Sequence, residues 1–184
     1  QLKHKQTEAV LGGGFTRYDG LHFGKIIWAA KGLTSVDNWY DLDSDKKDFN
    51  IYLKQQTKVA GYWNLFYDLQ YRHVKYRTEG FRDNPTLSIN KNFSFFNPKA
   101  GINYKIPTGK IFISAAIAQR EPNRDDLFAN PETKAEKLYD FEAGIEKTVG
   151  KIAFTANLYY INYANQLVLN GQINNIGEFI RVNS

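Results

Sequence analysis

Regular alternation of apolar and polar residues is the feature that most limits how this chain can fold. Between Tyr62 and Arg72, every second residue is large and apolar: Trp63, Leu65, Tyr67, Leu69 and Tyr71. The residues between them are mostly polar: Asn64, Phe66, Asp68, Gln70 and Arg72. Successive side chains of a β-strand point to opposite faces, so the stretch predicts a strand with one apolar and one mostly polar face. A helix would scatter these residues around its circumference without forming a stripe.

The same period recurs along the whole chain. The stretches that alternate are Lys5–Tyr18, Phe49–Gln56, Tyr62–Arg72, Phe96–Tyr104, Ile111–Arg120, Tyr139–Glu146, Ile152–Tyr160 and the residues from Ile180 onward. We therefore expect about eight antiparallel strands and no helix longer than a turn or two. Leu65, Tyr67, Leu69, Ile113, Ala115, Phe141, Ala143, Phe154 and Leu158 should share one face, and Asp68, Gln70, Asn103, Ser114, Glu142 and Asn157 the other.

The links between these stretches alternate in length. Short links lie at Val59–Gly61, Pro107–Gly109 and Val149–Gly150, where glycine and proline favour tight turns. Longer links cover Asp19–Lys47, Thr78–Lys91, Glu121–Lys137 and Ala164–Gly177. Short links on one rim and long links on the other are typical of an up-and-down barrel in a membrane.

Composition agrees with strands that have one wet and one apolar face. Aromatic residues make up 15% of a chain whose mean hydropathy is only -0.51. The apolar faces persist for nearly ten residues with tyrosine and tryptophan toward their ends, as membrane-crossing strands require. A soluble antiparallel β protein also alternates and stays the alternative. The net charge of +5 does not favour nucleic-acid binding, because basic and acidic residues are interleaved.

The last third of the chain resembles a known family. The phrase Ala118–Leu127 contains Arg120-Glu121-Pro122, and it is followed by Asn130–Lys137, by Tyr139–Gly144 and by Ala156–Val168. This ordered series is similar to the late barrel of TonB-dependent receptors, especially those of Bacteroidetes-type bacteria.

The resemblance implies an antiparallel up-and-down transmembrane β-barrel in the bacterial outer membrane. Residues 1–184 would supply about eight strands of a barrel of about 22, without its plug domain or signal peptide. It further implies import of a scarce solute such as a ferric siderophore, haem, cobalamin or an oligosaccharide. The expected partners are TonB (through the plug), the solute and outer-membrane lipid, with no cofactor, nucleic acid or enzyme activity. A passive or structural barrel and a soluble β-sheet binding domain are the alternatives.

Few residues present themselves as a site. Trp39 and Tyr40 in the longest predicted loop could stack on a flat ligand or pack together to fold that loop. Arg120 and Arg124 belong to a charged cluster with Glu121, Asp125 and Asp126, which either contacts ligand or holds the loop in shape by ion pairs. We favour the structural role for the cluster, and we name Trp39, Tyr40, Arg120 and Arg124 as the first ligand-binding candidates.

Metal and catalytic sites are not expected. The carboxylates of Asp41–Asp45 are spaced like a calcium loop, but Lys46 and Tyr52 stand where an EF-hand needs glycine and glutamate, so a solvated acidic loop is expected. No cysteine is present, which removes thiolate ligands and nucleophiles. Asp140, Glu142 and Glu146 share one face and are expected to line the lumen.

About eight strands cut from a wide barrel would have two free edges. The chain could close as a smaller barrel, pack as a sandwich, or have its edges or apolar face covered by another chain. We expect the last.

Overall fold

A computed structural model describes residues 2–4, 6–28, 30, 38–81, 84–173 and 179–184, except for the side chains of 2–4, 39, 81 and 85. Ten strands and one short helix form within these residues. They are β1 (Leu2–His4), β2 (Thr7–Lys25), β3 (Asn38–Val59), β4 (Trp63–Phe81), β5 (Asn84–Ile106), β6 (Gly109–Arg120), α1 (Arg124–Ala129), β7 (Glu136–Val149), β8 (Ile152–Ala164), β9 (Leu167–Ile173) and β10 (Phe179–Asn183). No helix in the described part is long and apolar enough to cross a membrane.

Each strand of the main sheet pairs antiparallel with its neighbour in sequence. Strands β1 to β8 form one eight-stranded sheet in chain order, and β9 and β10 form a separate hairpin. This is the predicted up-and-down arrangement. Within the described residues the sheet is open, with β1 and β8 at its edges, so closure into a smaller barrel is wrong. Its apolar face is not folded inward either, because Leu65 and Leu69 stay exposed. Coverage by another chain stays a prediction.

The register confirms which residues share a face. One row across β4 to β8 pairs Leu65, Ile102, Ile113, Ala143 and Leu158, and this side is called the outer face. The adjacent row pairs Phe66, Gly101, Ser114, Glu142 and Tyr159, and this side is called the inner face. The predicted apolar set lies on the outer face and the predicted polar set on the inner face.

The strands are much longer than the alternation indicated. Pairing between β2 and β3 continues to Lys25 and Asn38, and pairing between β4 and β5 continues to Phe81 and Asn84. The predicted long loops Asp19–Lys47 and Thr78–Lys91 are therefore mostly strand, and Ala164–Gly177 contains β9. At 22 and 23 residues, β3 and β5 exceed the 9–11 or so that cross a bilayer.

The same extension explains the acidic stretch Asp41–Asp45, which lies in β3 and not in a loop. Its carboxylates alternate with buried Leu42 and Ser44, so they point to the outer side while the residues between them point inward. In a membrane barrel, the part of a strand that extends beyond the bilayer meets water on its outer face, so charged residues can occupy that face and invert the pattern by which strands were recognised. Paired backbone groups hold the extension together all the same.

The three short links are confirmed as tight turns on one rim, called the turn rim. Gly61 and Gly150 have positive φ angles of 72° and 62°, a conformation in which glycine avoids the strain of a side chain. At the opposite rim, called the loop rim, residues 121–135 form the link between β6 and β7 and contain α1.

The buried core lies on the inner face near the loop rim. Val74, Ile89 and Phe95 from the sheet are almost fully buried, as are Leu127 and Phe128 from α1. The sequence pattern predicted that this face is mostly polar, so the apolar core on it was not predicted. It forms because α1 folds back over the sheet.

Candidate functional site at the inner side of the loop rim

Residues Glu121–Thr133, called the strap, begin where β6 ends. The Asn123 side chain accepts a hydrogen bond from the Asp126 amide at 2.7 Å, and the Asp126 carboxylate accepts one from the Asn123 amide at 3.0 Å. This reciprocal capping box satisfies two amides at the start of α1. The helix ends before Asn130, since Pro131 disfavours a helical conformation in the residue that precedes it. The strap is thus a defined turn of helix.

Between the strap and the sheet lies a cavity of about 380 Å³. Its walls combine aromatic rings and cations from the sheet with residues of the strap. The sheet contributes Tyr18, His22, Ser44, Lys46, Val74, Tyr76 and Phe93, and the strap contributes Glu121, Pro122, Asn123, Arg124 and Leu127. Tyr18 and His22 share a hydrogen bond of 3.1 Å. The cavity thus lies on the inner face at the loop rim.

Four charged side chains, called the clasp, join the strap to the sheet. Both guanidinium Nη atoms of Arg72 donate to the Glu121 carboxylate, at 2.7 and 2.9 Å. Arg72 also donates to Asp48, with Nη2 at 2.6 Å and Nε at 3.1 Å. The Lys46 ammonium donates to Glu121 at 3.1 Å. Two cations thus face two carboxylates. Because these side chains are only partly buried, loss of one member should lower the free energy of unfolding by about 1–3 kcal/mol.

The electrostatics of Glu121 follow from this geometry. Its side chain is only 12% exposed, and burial alone would raise its pKa. The hydrogen bonds from Arg72 and Lys46 outweigh burial, so the pKa of Glu121 lies below its ordinary value. Glu121 is therefore charged throughout the neutral range, and the clasp stays formed there.

The far side of the strap is anchored as well. The Asp126 carboxylate accepts a hydrogen bond from Arg181 of β10 at 2.9 Å. Asn183 bonds both backbone groups of Lys134, with its Oδ1 accepting at 2.8 Å and its Nδ2 donating at 3.0 Å. Glu136 accepts hydrogen bonds from the Leu167 amide, at 2.7 Å, and from Arg120. The β9–β10 hairpin is thereby tied to the strap.

Arg120 and Arg124, the two charged candidates, both lie on the inner side but border different cavities. Arg120 pairs with Glu136 and borders a second cavity of about 400 Å³, together with Asp126 and Arg181. Arg124 instead borders the cavity beneath the strap. These contacts agree with the structural role favoured for the charged cluster, while its ligand role stays a prediction.

The two aromatic candidates lie in β3 and not in a loop. Tyr40 pairs with Gly24 of β2, and an added Cβ at Gly24 would meet the Tyr40 ring. Trp39 is its neighbour in β3, but the side chain of Trp39 lies outside the described residues. Ligand binding by either residue stays a prediction.

Sequence reasoning missed Lys46, Asp48 and Arg72. Alternation puts Lys46 and Asp48 on one face, and it puts Arg72 opposite the apolar residues of its own strand. Nothing local shows that these residues meet Glu121, because 49 residues separate Arg72 from Glu121 in the chain. The sequence pattern could only have indicated that each of these residues is charged, lies on the inner face and is close to a rim.

Other features of the described part offer no competing site. A concavity of about 990 Å³ is mainly apolar in lining and borders Leu65, Ile113, Phe141 and Leu158 of the outer face. Its apolar lining on the exposed outer face offers few polar groups to orient a polar solute. No group of histidine or carboxylate side chains among the described residues is arranged to hold a metal ion. Glu146 lies on the inner face, as expected, and pairs with Lys110 at 3.0 Å.

An open strip of long antiparallel strands, with an apolar outer face and a strap inside its mouth, defines part of a large membrane barrel. A family model described as TonB dependent receptor-like, beta-barrel, matches residues 1–183. The chain belongs to this family, whose barrels lie in the bacterial outer membrane. No curated protein sequence matches it.

Solved structures of similar fold include receptors and transporters. The ferric-catecholate import receptor Fiu of E. coli K12 is 15% identical with a TM-score of 0.62, and the match covers 96% of this chain and 30% of that one. The copper transporter OprC is 12% identical with a TM-score of 0.79, over 98% and 31%. The iron transporter FrpB of Neisseria meningitidis is 16% identical with a TM-score of 0.64, over 98% and 29%. The chain thus spans about a third of each length, and at these identities the likeness shows the fold.

Proposed function

We propose that this chain is part of the barrel of a receptor that imports a scarce solute across the outer membrane, driven through TonB. Membership of the receptor-barrel family over residues 1–183 is the observation that carries the proposal. The two faces of the sheet support it. The outer face suits lipid, and the inner face holds charged and aromatic side chains around a recess at the mouth.

For the solute, we propose one that is too large for passive pores: a ferric siderophore, haem, cobalamin or an oligosaccharide. The neighbours of similar fold are described as a ferric-catecholate import receptor, a copper transporter and an iron transporter, which favours a metal complex. The cavity beneath the strap can hold only part of such a molecule, so the remaining contacts would come from the rest of the receptor.

Growth of a deletion strain tests this function. The full-length gene is deleted and restored on a plasmid, and growth is measured with ferric enterobactin, haemin, cyanocobalamin or maltoheptaose as the limiting nutrient. We expect one nutrient to support growth only when both the receptor and TonB are present. Equal growth of the deletion and restored strains on all four would reject import of these solutes. Growth that needs the receptor but not TonB would indicate a passive barrel.

A further inference from the structure

The strap crosses a large part of the inner face. Glu121 follows β6 directly, yet its carboxylate contacts Arg72 of β4 and Lys46 of β3. The sheet order places two strands between β6 and β3, so the span is about 14 Å at ordinary strand spacing. A link whose first side chain contacts a strand three positions away in the sheet lies against the inner face and does not project into solvent.

Beneath the strap, the apolar side chains are buried. Val74 has no exposed surface and Leu127 is 2% exposed, and both border the cavity that also contains Glu121. Val74, on the inner face near the loop rim, is shielded because the strap lies over it. If the strap lifted, Val74 would become accessible from the mouth.

The charged contacts of the strap with the wall are unequal. Glu121 is 12% exposed and receives three charge-assisted hydrogen bonds of 2.7 to 3.1 Å. Glu132 also reaches the wall, at Lys91, but at 3.5 Å and with 87% of its side chain exposed. Exposed ion pairs with long distances contribute little to stability, whereas partly buried, charge-assisted hydrogen bonds contribute much more. Among these contacts Glu121 therefore dominates.

We propose that Glu121 is a positioning residue, which clasps the strap to Arg72 and Lys46 and so fixes the recess at the mouth of the barrel. This inference rests on the proposed function only where it concerns solute import. With the clasp closed, the strap presents Arg124 and Leu127 toward the sheet at a constant distance. With it open, the recess loses its fixed shape and solute affinity falls, while the steps that move solute onward are unaffected.

A thiol reporter tests the clasp directly. The chain has no cysteine, so Val74→Cys introduces one small, apolar thiol beneath the strap, with any cysteines elsewhere in the receptor changed to serine. A maleimide is applied to cells that carry the full-length receptor. We expect Glu121→Gln to label at least about tenfold faster than the parent, because the charge-assisted bonds are lost. The matched variant Glu132→Gln should label like the parent.

Lys46→Met provides a milder second variant. It removes one cation and leaves the Arg72–Glu121 pair, so it should label at an intermediate rate even if Glu121→Gln does not assemble. Equal labelling of Glu121→Gln, Lys46→Met and Glu132→Gln would overturn the proposal, whatever the receptor transports.

Uptake then separates positioning from general damage. In the same strains, the initial uptake of radiolabelled ferric enterobactin, haemin, cyanocobalamin and maltoheptaose is measured against concentration. For the solute that the parent imports, Glu121→Gln should raise the half-saturation concentration about tenfold and leave the maximal rate unchanged. A fall in maximal rate alone would contradict positioning. Uptake of none of the four by the parent would count against the proposed function, and the labelling result would still decide on the clasp.

Discussion

At Gly101 on the inner face, the effect of adding a methyl group can be estimated from the distances to its neighbours. Gly101 of β5 lies directly opposite Phe66 of β4, and a Cβ added at Gly101 would approach the Phe66 ring to 2.5 Å. It would also approach the backbone oxygen of Ile113 to 2.8 Å. The ring can tilt away, but the backbone oxygen is held by the sheet. We therefore expect Gly101→Ala to strain the wall.

The expected size follows from two opposing effects. Overpacking a well-packed site costs about 1–3 kcal/mol. Replacing glycine by alanine recovers about 0.4–1 kcal/mol, because the unfolded chain has less freedom to lose. From the middle of each range, Gly101→Ala should thus lower the free energy of unfolding by about 1.3 kcal/mol. Gly14→Ala is the matched control on the same face, since its Cβ would meet nothing nearer than the Asn50 amide nitrogen at 3.4 Å.

Denaturant unfolding of the full-length receptor in detergent, followed by circular dichroism, measures the difference. The midpoint should fall for Gly101→Ala and should stay level or rise for Gly14→Ala. Adding Phe66→Ala to Gly101→Ala should recover only part of the strain, because the contact with the Ile113 oxygen persists. A Gly101→Ala midpoint equal to that of the parent would refute the reasoning.

Three further predictions concern the faces, the clasp and the candidate ligand residues. Spin labels at Leu69 and Gln70 of the full-length receptor should differ in access to a lipid-soluble quencher, with position 69 the more accessible; equal access would contradict the register. Because the pKa of Glu121 is lowered on folding, its contribution is complete above its ordinary pKa of 4.5 and is lost as pH falls through the folded value. The labelling rate of Val74→Cys, divided at each pH by the rate of the same cysteine in the Glu121→Gln variant so that the pH dependence of the thiol cancels, should therefore approach one only below about pH 4.5. A ratio that does not change with pH would contradict this. Alanine substitution of each candidate ligand residue should reduce solute uptake; these residues are Trp39, Tyr40, Arg120 and Arg124. Unchanged uptake in all four variants would show that they do not form the site.

The sequence by itself determined the features that depend on short-range physics. Side chains alternate across a strand with a period of two, so Leu65 and Asp68 could be assigned to opposite faces without coordinates. The tight turns at Gly61 and Gly150 were equally visible, because glycine tolerates positive φ angles that other residues resist. Membership of the receptor-barrel family could also be anticipated, from the phrase Ala118–Leu127 and the segments that follow it.

Only the tertiary structure decided where the strands end and what the strap does. Above the bilayer the solvent on the outer face changes from lipid to water, so β3 continues through Asp41–Asp45 although its alternation is inverted there. The clasp depends on the register of β3 against β4 and on a link that folds back across β5. These relations bring Arg72 and Glu121 within 2.7 Å across 49 residues of chain, and no local pattern encodes such a distance.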